Sequence, residues 1–502
     1  MPNSYIKHIL EAEVYDVAVE TPLQQARFLS KRLQNNVFIK REDLQPVFSF
    51  KLRGAYNKMR QLSEEQLSRG VVAASAGNHA QGIALSAQRL GCKAIIVMPK
   101  TTPNIKVDAV RAWGGKVVLH GDTYDEASEY AQNLVKEKGM TYVHPYDDPQ
   151  VIAGQGTIAM EILRQQSKLD AIFIPVGGGG LAAGIAAYIR YVRPNVKIIA
   201  VEPEDAACLK LAMERGRRAK LSEVGIFADG VAVAQIGKEP FRILRQTVDE
   251  VIVANTDEIC AAIKDIFEDN RSIAEPAGAL SLAGLKKYVE QHGIRDQNLV
   301  CIESGANTNF DRLRYISERT AFSEKREGIF SVEIPETPGS FRQFCALLGK
   351  RGITEFNYRY APRAMAQIFV GIQLKNPEDR QEVLELLRGN NCRVEDMTDN
   401  EMAKVHVRHM VGGRAPTLEN EQVYTFEFPE RPGALMQFLD KLGGRWNISM
   451  FHYRNHGAAY GWVATGLQVP PKERKEVEAV LKSLNYRFKN ETDNPAYRHF
   501  LS

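Results

Sequence analysis

Residues 171–190 read AIFIPVGGGGLAAGIAAYIR. The uninterrupted apolar run fits a strand buried on both faces. The glycines Gly177, Gly178, Gly179 and Gly180 fit a turn, and Leu181 onward fits a helix reaching Tyr191. In such a turn, backbone N–H groups and the helix N-terminus cradle phosphate oxygens with no Cβ in the way. The plainer alternative is a glycine run that only permits tight strand-to-helix packing. Outward from this segment the alternation repeats, with strands expected at VVAASA (71–76), KAIIVM (93–98), VKIIAVE (196–202) and LVCIE (299–303). Helices follow most of them, including Gln81 to Leu90. The expected class is α/β, parallel sheets flanked by helices. Ligands of such sheets gather at the carboxyl ends of strands, where both the Asn78 turn and the Gly177 loop fall.

The glycines alone do not settle which phosphate-bearing ligand is meant. Gly177, Gly179 and Ala182 satisfy G-x-G-x-x-G/A, and Glu202 closes the next strand, which is also a dinucleotide (NAD) fingerprint. Two upstream segments favour pyridoxal phosphate: Ser49-Phe50-Lys51-Leu52-Arg53-Gly54-Ala55 and SAGNHAQG (75–82). An aldehyde cofactor with a phosphate tail needs an amine as well as a backbone cradle. Lys51 offers that amine among the apolar Phe48, Phe50 and Leu52, and desolvation lowers a lysine pKa toward the nucleophilic form. A nicotinamide site has no use for Lys51 or for Asn78. The opposing view is that Lys51 is one more solvated lysine.

At 502 residues the chain exceeds one compact core, so roughly two to four domains are expected. A net charge of +4 with no basic run interleaved with aromatics argues against a nucleic-acid partner. MPNSYIKHILEAEVYDVAVE carries charges where a signal peptide needs an apolar stretch. No later segment approaches the roughly 18 apolar residues of a membrane span. Cys92, Cys208, Cys260, Cys301, Cys345 and Cys392 form no C-x-x-C pair, which fits a reduced cytoplasmic protein better than a disulfide scaffold or zinc site.

Beyond residue 325 an internal repeat takes over. SVEIPETPGSFRQFCALLGKRGITEFNYRY (331–360) matches TFEFPERPGALMQFLDKLGGRWNISMFHYR (425–454). Pro338-Gly339 recurs 94 residues on as Pro432-Gly433, and Phe356-x-Tyr358-Arg359 recurs 95 residues on as Phe451-x-Tyr453-Arg454. Each copy reads as a ferredoxin-like βαββαβ unit. The expected organisation is a region of two α/β subdomains over 1–320, a first repeat over 328–399, a connector over 400–420, and a second repeat over 421–492. Repeats that only mediate assembly are the alternative to repeats that bind an effector.

SFKLRGA, SAGNHAQG, GGGGL and SGAN (304–307), in this order, resemble the fold-type II pyridoxal phosphate enzymes. With the tandem repeat, the chain from about residue 15 to its end is similar to the biosynthetic threonine deaminases, and the repeats look like ACT-like regulatory domains. The resemblance implies that Lys51 is the Schiff-base lysine and the base that moves the Cα proton. It implies that Asn78 hydrogen-bonds the cofactor's phenolic oxygen and that Phe50 adjoins the cofactor. Gly177 to Gly180 with Leu181 would hold the phosphate, and Ser304 would face the pyridine nitrogen. Ser75, Gly77, Asn78 and His79 would cradle the substrate carboxylate, although the His79 ring could equally be satisfied by local backbone. A neutral serine at the ring nitrogen makes a poorer electron sink than a carboxylate would, favouring β-elimination over transamination.

The implied reaction takes L-threonine, with L-serine as a second candidate substrate, to a 2-oxo acid and ammonia. Serine racemases of this fold carry a second catalytic serine where Ala76 stands. Glu202-Pro203 matches part of a divalent-cation site, but Cys208 occupies the expected Asp position, so no metal is expected. Glu275, in AEPAG, either closes the substrate pocket or caps a helix. The repeats imply feedback inhibition by isoleucine, valine as a candidate activator, and a homotetramer. Phe341, Tyr358 and Tyr453 are the candidate effector contacts, against plain core packing. The alternatives are another pyridoxal phosphate lyase or threonine synthase, an NAD-dependent oxidoreductase, and a non-catalytic amino-acid sensor.

Overall fold

The computed structural model describes residues 3–323, 327–335, 340–348, 351–358, 365–376, 378–409, 418–429, 438, 441–442, 445–454 and 460–501. It falls into two units, Met1–Ile316 and Ser317–Ser502.

The described residues of the first unit form ten strands: β1 (Leu23–Gln25), β2 (Asn36–Arg41), β3 (Val71–Ala74), β4 (Ala94–Met98), β5 (Lys116–Leu119), β6 (Thr141–Tyr142), β7 (Ala171–Pro175), β8 (Lys197–Pro203), β9 (Glu250–Ala254) and β10 (Asn298–Glu303). They form two sheets, one ordered β1-β2-β10-β7-β8-β9 and a smaller one ordered β5-β4-β3-β6. All pairings are parallel except β1 with β2. The five strands read from apolar runs are all present, while β5 and β6 are half-buried and carry no continuous apolar signal. The two sheets define a small half and a large half of this unit.

Three helices carry the functional loops into register. Helix Lys51–Arg60 packs on Pro149–Gln165, and the latter packs on Gly180–Val192. Glycine permits both crossings: a Cβ on Gly154 would stand 2.7 Å from the Arg53 carbonyl oxygen, and one on Gly184 would strike the Ile152 carbonyl. The lysine helix and the phosphate-loop helix are therefore fixed against one shared partner.

A buried ion cluster fastens this stack. The Arg53 guanidinium donates to Glu42 through Nε at 2.8 Å and to Glu161 through Nη1 at 2.6 Å. Lys40 Nζ lies 2.6 Å from Glu161 Oε2, and all four side chains are fully buried. Two cations and two carboxylates balance, so each charge taken from water finds a partner. Burial pushes against the Glu42 carboxylate, yet Arg53 and Lys40 hold its pKa below the usual range.

The second unit holds two copies of one antiparallel motif. In the first, β11 (Glu327–Pro335), helix Ser340–Leu348, β12 (Ile353–Tyr358), β13 (Met365–Gln373), helix Asp379–Gly389 and β14 (Arg393–Asp396) give the sheet β12-β13-β11-β14. In the second, β15 (Glu421–Pro429), β16 (Ile448–Arg454), β17 (Tyr460–Gln468), helix Arg474–Lys482 and β18 (Phe488–Asn490) give β16-β17-β15-β18. The same register shift falls between Ile353 and Glu355 and between Ile448 and Met450. Within the expected connector, Asn400 caps a short helix, Glu401–Val405, by accepting from the Ala403 amide. Past the last strand, helix Pro495–Phe500 places Ala496 and Tyr497 in an apolar seam with Ile329, Phe369, Met402 and Val423, so the two copies share a core. Among the described residues no helix is long and apolar enough to cross a membrane.

Replacing Arg53 with Met leaves the two buried carboxylates, Glu42 and Glu161, with Lys40 as the cluster's one remaining cation and an uncompensated negative charge. We expect a loss of about 3–5 kcal/mol in stability, read by chemical denaturation. A loss within 1 kcal/mol of zero would show that the cluster does not secure the helix stack.

Candidate active site

Lys51 is the first residue of its helix, and its Nζ donates to the Pro145 carbonyl oxygen at 2.9 Å. Burial lowers its pKa to about 8, with the Glu275 carboxylate working in the opposite direction. Of the apolar residues expected around it, Phe50 lies with its ring centroid 5.3 Å from Nζ and Leu52 is buried. Phe48 departs from that expectation. Its φ of 55° turns the chain so that the ring is 57% exposed, and its carbonyl accepts from the Ala306 amide.

Asn78 lies inside a helix, Asn78–Leu90, which begins three residues before the expected Gln81. The Asn78 amide donates to Glu275 Oε1 at 2.6 Å and accepts from Asn307 Nδ2 at 2.7 Å. Glu275 stands at the N-cap of Pro276–His292, but its side chain makes no capping bond and turns to Asn78 instead. Burial, then the nearby Asp229 charge, raise its pKa to about 7. Asn307, the last residue of SGAN, holds Asn78 from the other side, a part that local sequence does not disclose because the fold must bring residues 229 positions apart together.

Ser75 Oγ accepts weakly from the Gly77 amide at 3.4 Å, and Gly77 precedes the helix as its N-cap. His79 is buried, with Nε2 2.9 Å from the Val143 carbonyl oxygen and Nδ1 without a hydrogen-bond partner. Burial lowers its pKa to about 3, so the ring is neutral. With Nε2–H donating to Val143, Nδ1 presents a lone pair. A neutral ring whose one N–H is spent on Val143 has no donor left for a carboxylate, which leaves the backbone amides at the start of the helix as the donors for one.

Ser304 is buried beside this cluster, donating to the Ala277 carbonyl oxygen at 3.2 Å, and its own carbonyl accepts from the Phe50 amide. Gly177 to Gly180 follow β7 and lead into helix Gly180–Val192 with Gly179 at φ 90°. The first-turn amides of that helix, Leu181 among them, have no carbonyl of their own helix to bond. A Cβ on Gly177 would lie 2.8 Å from the Val231 Cα, and one on Gly178 would run into the Tyr146 ring. The glycines thus serve protein packing as well as an open cradle.

Glu202 removes the dinucleotide reading. It is fully buried and accepts from the Leu209 and Lys210 amides at 2.7 and 2.8 Å, so it cannot reach a ribose. Cys208 bonds through Sγ to the Gly177 carbonyl at 3.5 Å. Among the described residues no three His, Cys, Asp or Glu side chains converge as a metal site.

An amine held near neutrality, a glycine cradle at a helix N-terminus and a buried neutral serine fit pyridoxal phosphate. Residues 14–305 match the family model for pyridoxal-phosphate dependent enzymes, and 318–407 and 412–501 match the C-terminal regulatory domain of threonine dehydratase. The chain is 54% identical over 504 residues to the biosynthetic L-threonine dehydratase IlvA of Burkholderia multivorans, covering 100% of this chain and 99% of that one. The chain belongs to the biosynthetic threonine dehydratases. These are pyridoxal phosphate lyases with a C-terminal regulatory region.

Among solved structures, the processed form of threonine deaminase isoform 2 from Solanum lycopersicum is 53% identical, with TM-score 0.63, covering 63% of this chain and 93% of that one. Serine racemase from Dictyostelium discoideum is 32% identical, with TM-score 0.57, covering 61% of this chain and 99% of that one. The candidate effector residues Phe341, Tyr358 and Tyr453 fall in helix Ser340–Leu348, β12 and β16, but their side chains lie outside the described residues.

With the Lys51 pKa at about 8, cofactor uptake by the cofactor-free enzyme should accelerate as pH rises through that value and then level off. An ordinary lysine would keep accelerating toward about 10.4. Glu275→Gln removes the charge that opposes the lowering, so the inflection should move to lower pH. Stopped-flow absorbance against pH checks both, and an inflection near the ordinary lysine value would refute the assignment.

Proposed function

We propose that this chain converts L-threonine to 2-oxobutanoate and ammonia, and that isoleucine bound to its repeats reduces the turnover. The observation that carries the catalytic part is Lys51, an amine with its pKa near 8 inside the cluster of Phe50, Asn78, Glu275 and Ser304. Bound pyridoxal phosphate supplies an electron sink that acidifies the Cα–H of an amino acid joined to it.

Lys51 acts first as the nucleophile that holds the cofactor and then, once released, as the base at Cα. Asn78, fixed from both sides, offers a rigid partner to the cofactor's phenolic oxygen. The amides at the start of its helix, with Ser75 and Gly77 before them, orient the substrate carboxylate so that the Cα–H faces Lys51. Amides of Gly177 to Leu181 bind the phosphate. The Ser304 hydroxyl stabilises positive charge on a ring nitrogen far less than a carboxylate would, so expulsion of the β-hydroxyl outruns transfer of the amino group. One water leaves as the Cα–H and β-hydroxyl are lost. One water returns when the enamine product tautomerises and hydrolyses, giving 2-oxobutanoate and ammonia. Ala76 supplies no hydroxyl that could protonate the opposite face, which favours elimination over racemisation. L-Serine, lacking only the methyl group, is the second candidate substrate.

Regulation is assigned to the repeats, residues 328–399 and 421–492 with 400–420 between them, and catalysis to residues 1–320. Phe341, Tyr358 and Tyr453 are the proposed effector contacts, valine is the candidate activator, and the assembly is a cytoplasmic homotetramer. The support is the duplicated regulatory motif and the identity across the whole length to biosynthetic relatives. An effector shifts activity only by binding two states of the protein with different affinity.

The deciding assay follows 2-oxobutanoate release against L-threonine, with and without isoleucine. Suppression by isoleucine supports both halves of the proposal, and absence of turnover from cofactor-loaded protein overturns the substrate assignment. Tyr358→Leu should weaken inhibition on the order of tenfold in isoleucine concentration while leaving uninhibited turnover unchanged; unchanged inhibition would remove Tyr358 from the effector site.

A further inference from the structure

Lys106, on helix Asn104–Ala112 of the small half, reaches across to the large half. Its Nζ donates to Asp229 Oδ2 at 2.5 Å. Asp229 opens the turn Asp229–Val231 between β8 and β9. Arg312 approaches the same carboxylate at 3.5 Å, donates through Nη2 to the Phe227 carbonyl at 2.5 Å, and lies 5.4 Å from the centre of the Phe227 ring. Arg312 itself is buried.

The turn that Asp229 opens is wedged into the active site. A Cβ on Gly230 would lie 2.9 Å from the Ala277 Cβ and 3.5 Å from Glu275 Oε1, and the next residue, Val231, backs Gly177 of the phosphate loop. Two polar links therefore tie the small half to the large one here. Asn78 to Glu275 is the inner link and Lys106 to Asp229 the outer one. Both start from elements of the small half, which carries the substrate loop at residues 75–79, and end on elements that frame the cofactor.

We propose that Lys106 and Asp229 are positioning residues for the reaction. Their ion pair holds the substrate-carboxylate loop at its working distance from the phosphate loop, and Arg312 holds Asp229 for that purpose. Neither side chain needs to touch substrate. The Lys106 and Asp229 side chains are 22% and 38% exposed, so water and salt screen the pair. Its contribution is correspondingly to geometry rather than to global stability. Misplacing a substrate-binding group by about 1 Å weakens binding and turnover together or binding alone, depending on whether the contact persists into the transition state. Carboxylate contacts persist throughout, so the loss falls on KM.

This inference rests on the reading that the site turns over L-threonine. The test uses the cofactor-loaded full chain with Lys106→Met, Asp229→Asn, the double variant and Lys106→Arg. We expect unchanged cofactor content, KM for L-threonine raised on the order of tenfold in each single variant, and kcat within about twofold of the parent. The double variant should match either single one, because both remove the same link, and Lys106→Arg should restore most of the loss. Titration with L-2-aminobutyrate, which has no β-hydroxyl to lose, followed by cofactor absorbance, should show the same weakening without turnover. A severe Lys106→Met with a mild Asp229→Asn would mean that Lys106 binds substrate directly, and overturns the proposal. So would unchanged KM and unchanged L-2-aminobutyrate binding, or loss of cofactor content in the single variants. Failure of the parent enzyme to release 2-oxobutanoate from L-threonine would instead strike the functional reading, and the L-2-aminobutyrate arm still tests the positioning role.

Discussion

The buried contact of Arg53 with Glu42 and Glu161 is the constraint on which the catalytic unit rests. Taking four charges out of water is costly, and the cluster persists only because each charge meets an opposite one in good geometry. Arg53 follows Lys51 by two residues on the same helix. Fixing its guanidinium to the end of β2 and to helix Pro149–Gln165 therefore fixes where the Lys51 amine emerges. The glycine crossings then carry that register on to the helix beneath the phosphate loop.

The two cations of this helix meet opposite electrostatic fates, and the chemistry depends on the difference. Arg53 is surrounded by carboxylates, which more than offset its burial and raise its pKa. Lys51 is half-buried, with Glu275 as the one charged neighbour that favours its protonated form, and desolvation lowers its pKa to about 8. An amine compensated as Arg53 is would stay protonated and could not attack an aldehyde. Glu275 is itself tempered, since burial and Asp229 raise its pKa to about 7 and its hydrogen bond from Asn78 works against that rise. The site thus keeps a carboxylate near its nucleophile without quenching it.

Local signals carried most of what the sequence disclosed. A strand, a glycine turn and a helix are written in consecutive residues, so β7 and the Gly180 helix were legible, as was the duplication through its constant offset. The same reasoning could not see Arg53 among its partners, because Lys40, Glu42 and Glu161 come from three elements. It left Glu275 between capping a helix and closing a pocket, and the partner that decides, Asn78, lies 197 positions away. Glu202 misled for a related reason. Its spacing from the glycines suits a ribose, but the backbone amides at the start of the next helix claim it first. Phe48 read as packing around Lys51 because hydrophobicity was visible and its left-handed backbone was not.

The tandem repeat carries a further physical signature. In each copy the register shift falls in β12 or β16, the strand at one edge of its sheet. An unpaired edge invites another strand, and a bulge is one of the devices that twist it away from such pairing. Preservation of the irregularity in both copies, at residues 95 positions apart, means that it belongs to the ancestral unit rather than to one packing accident. The same strands hold Tyr358 and Tyr453.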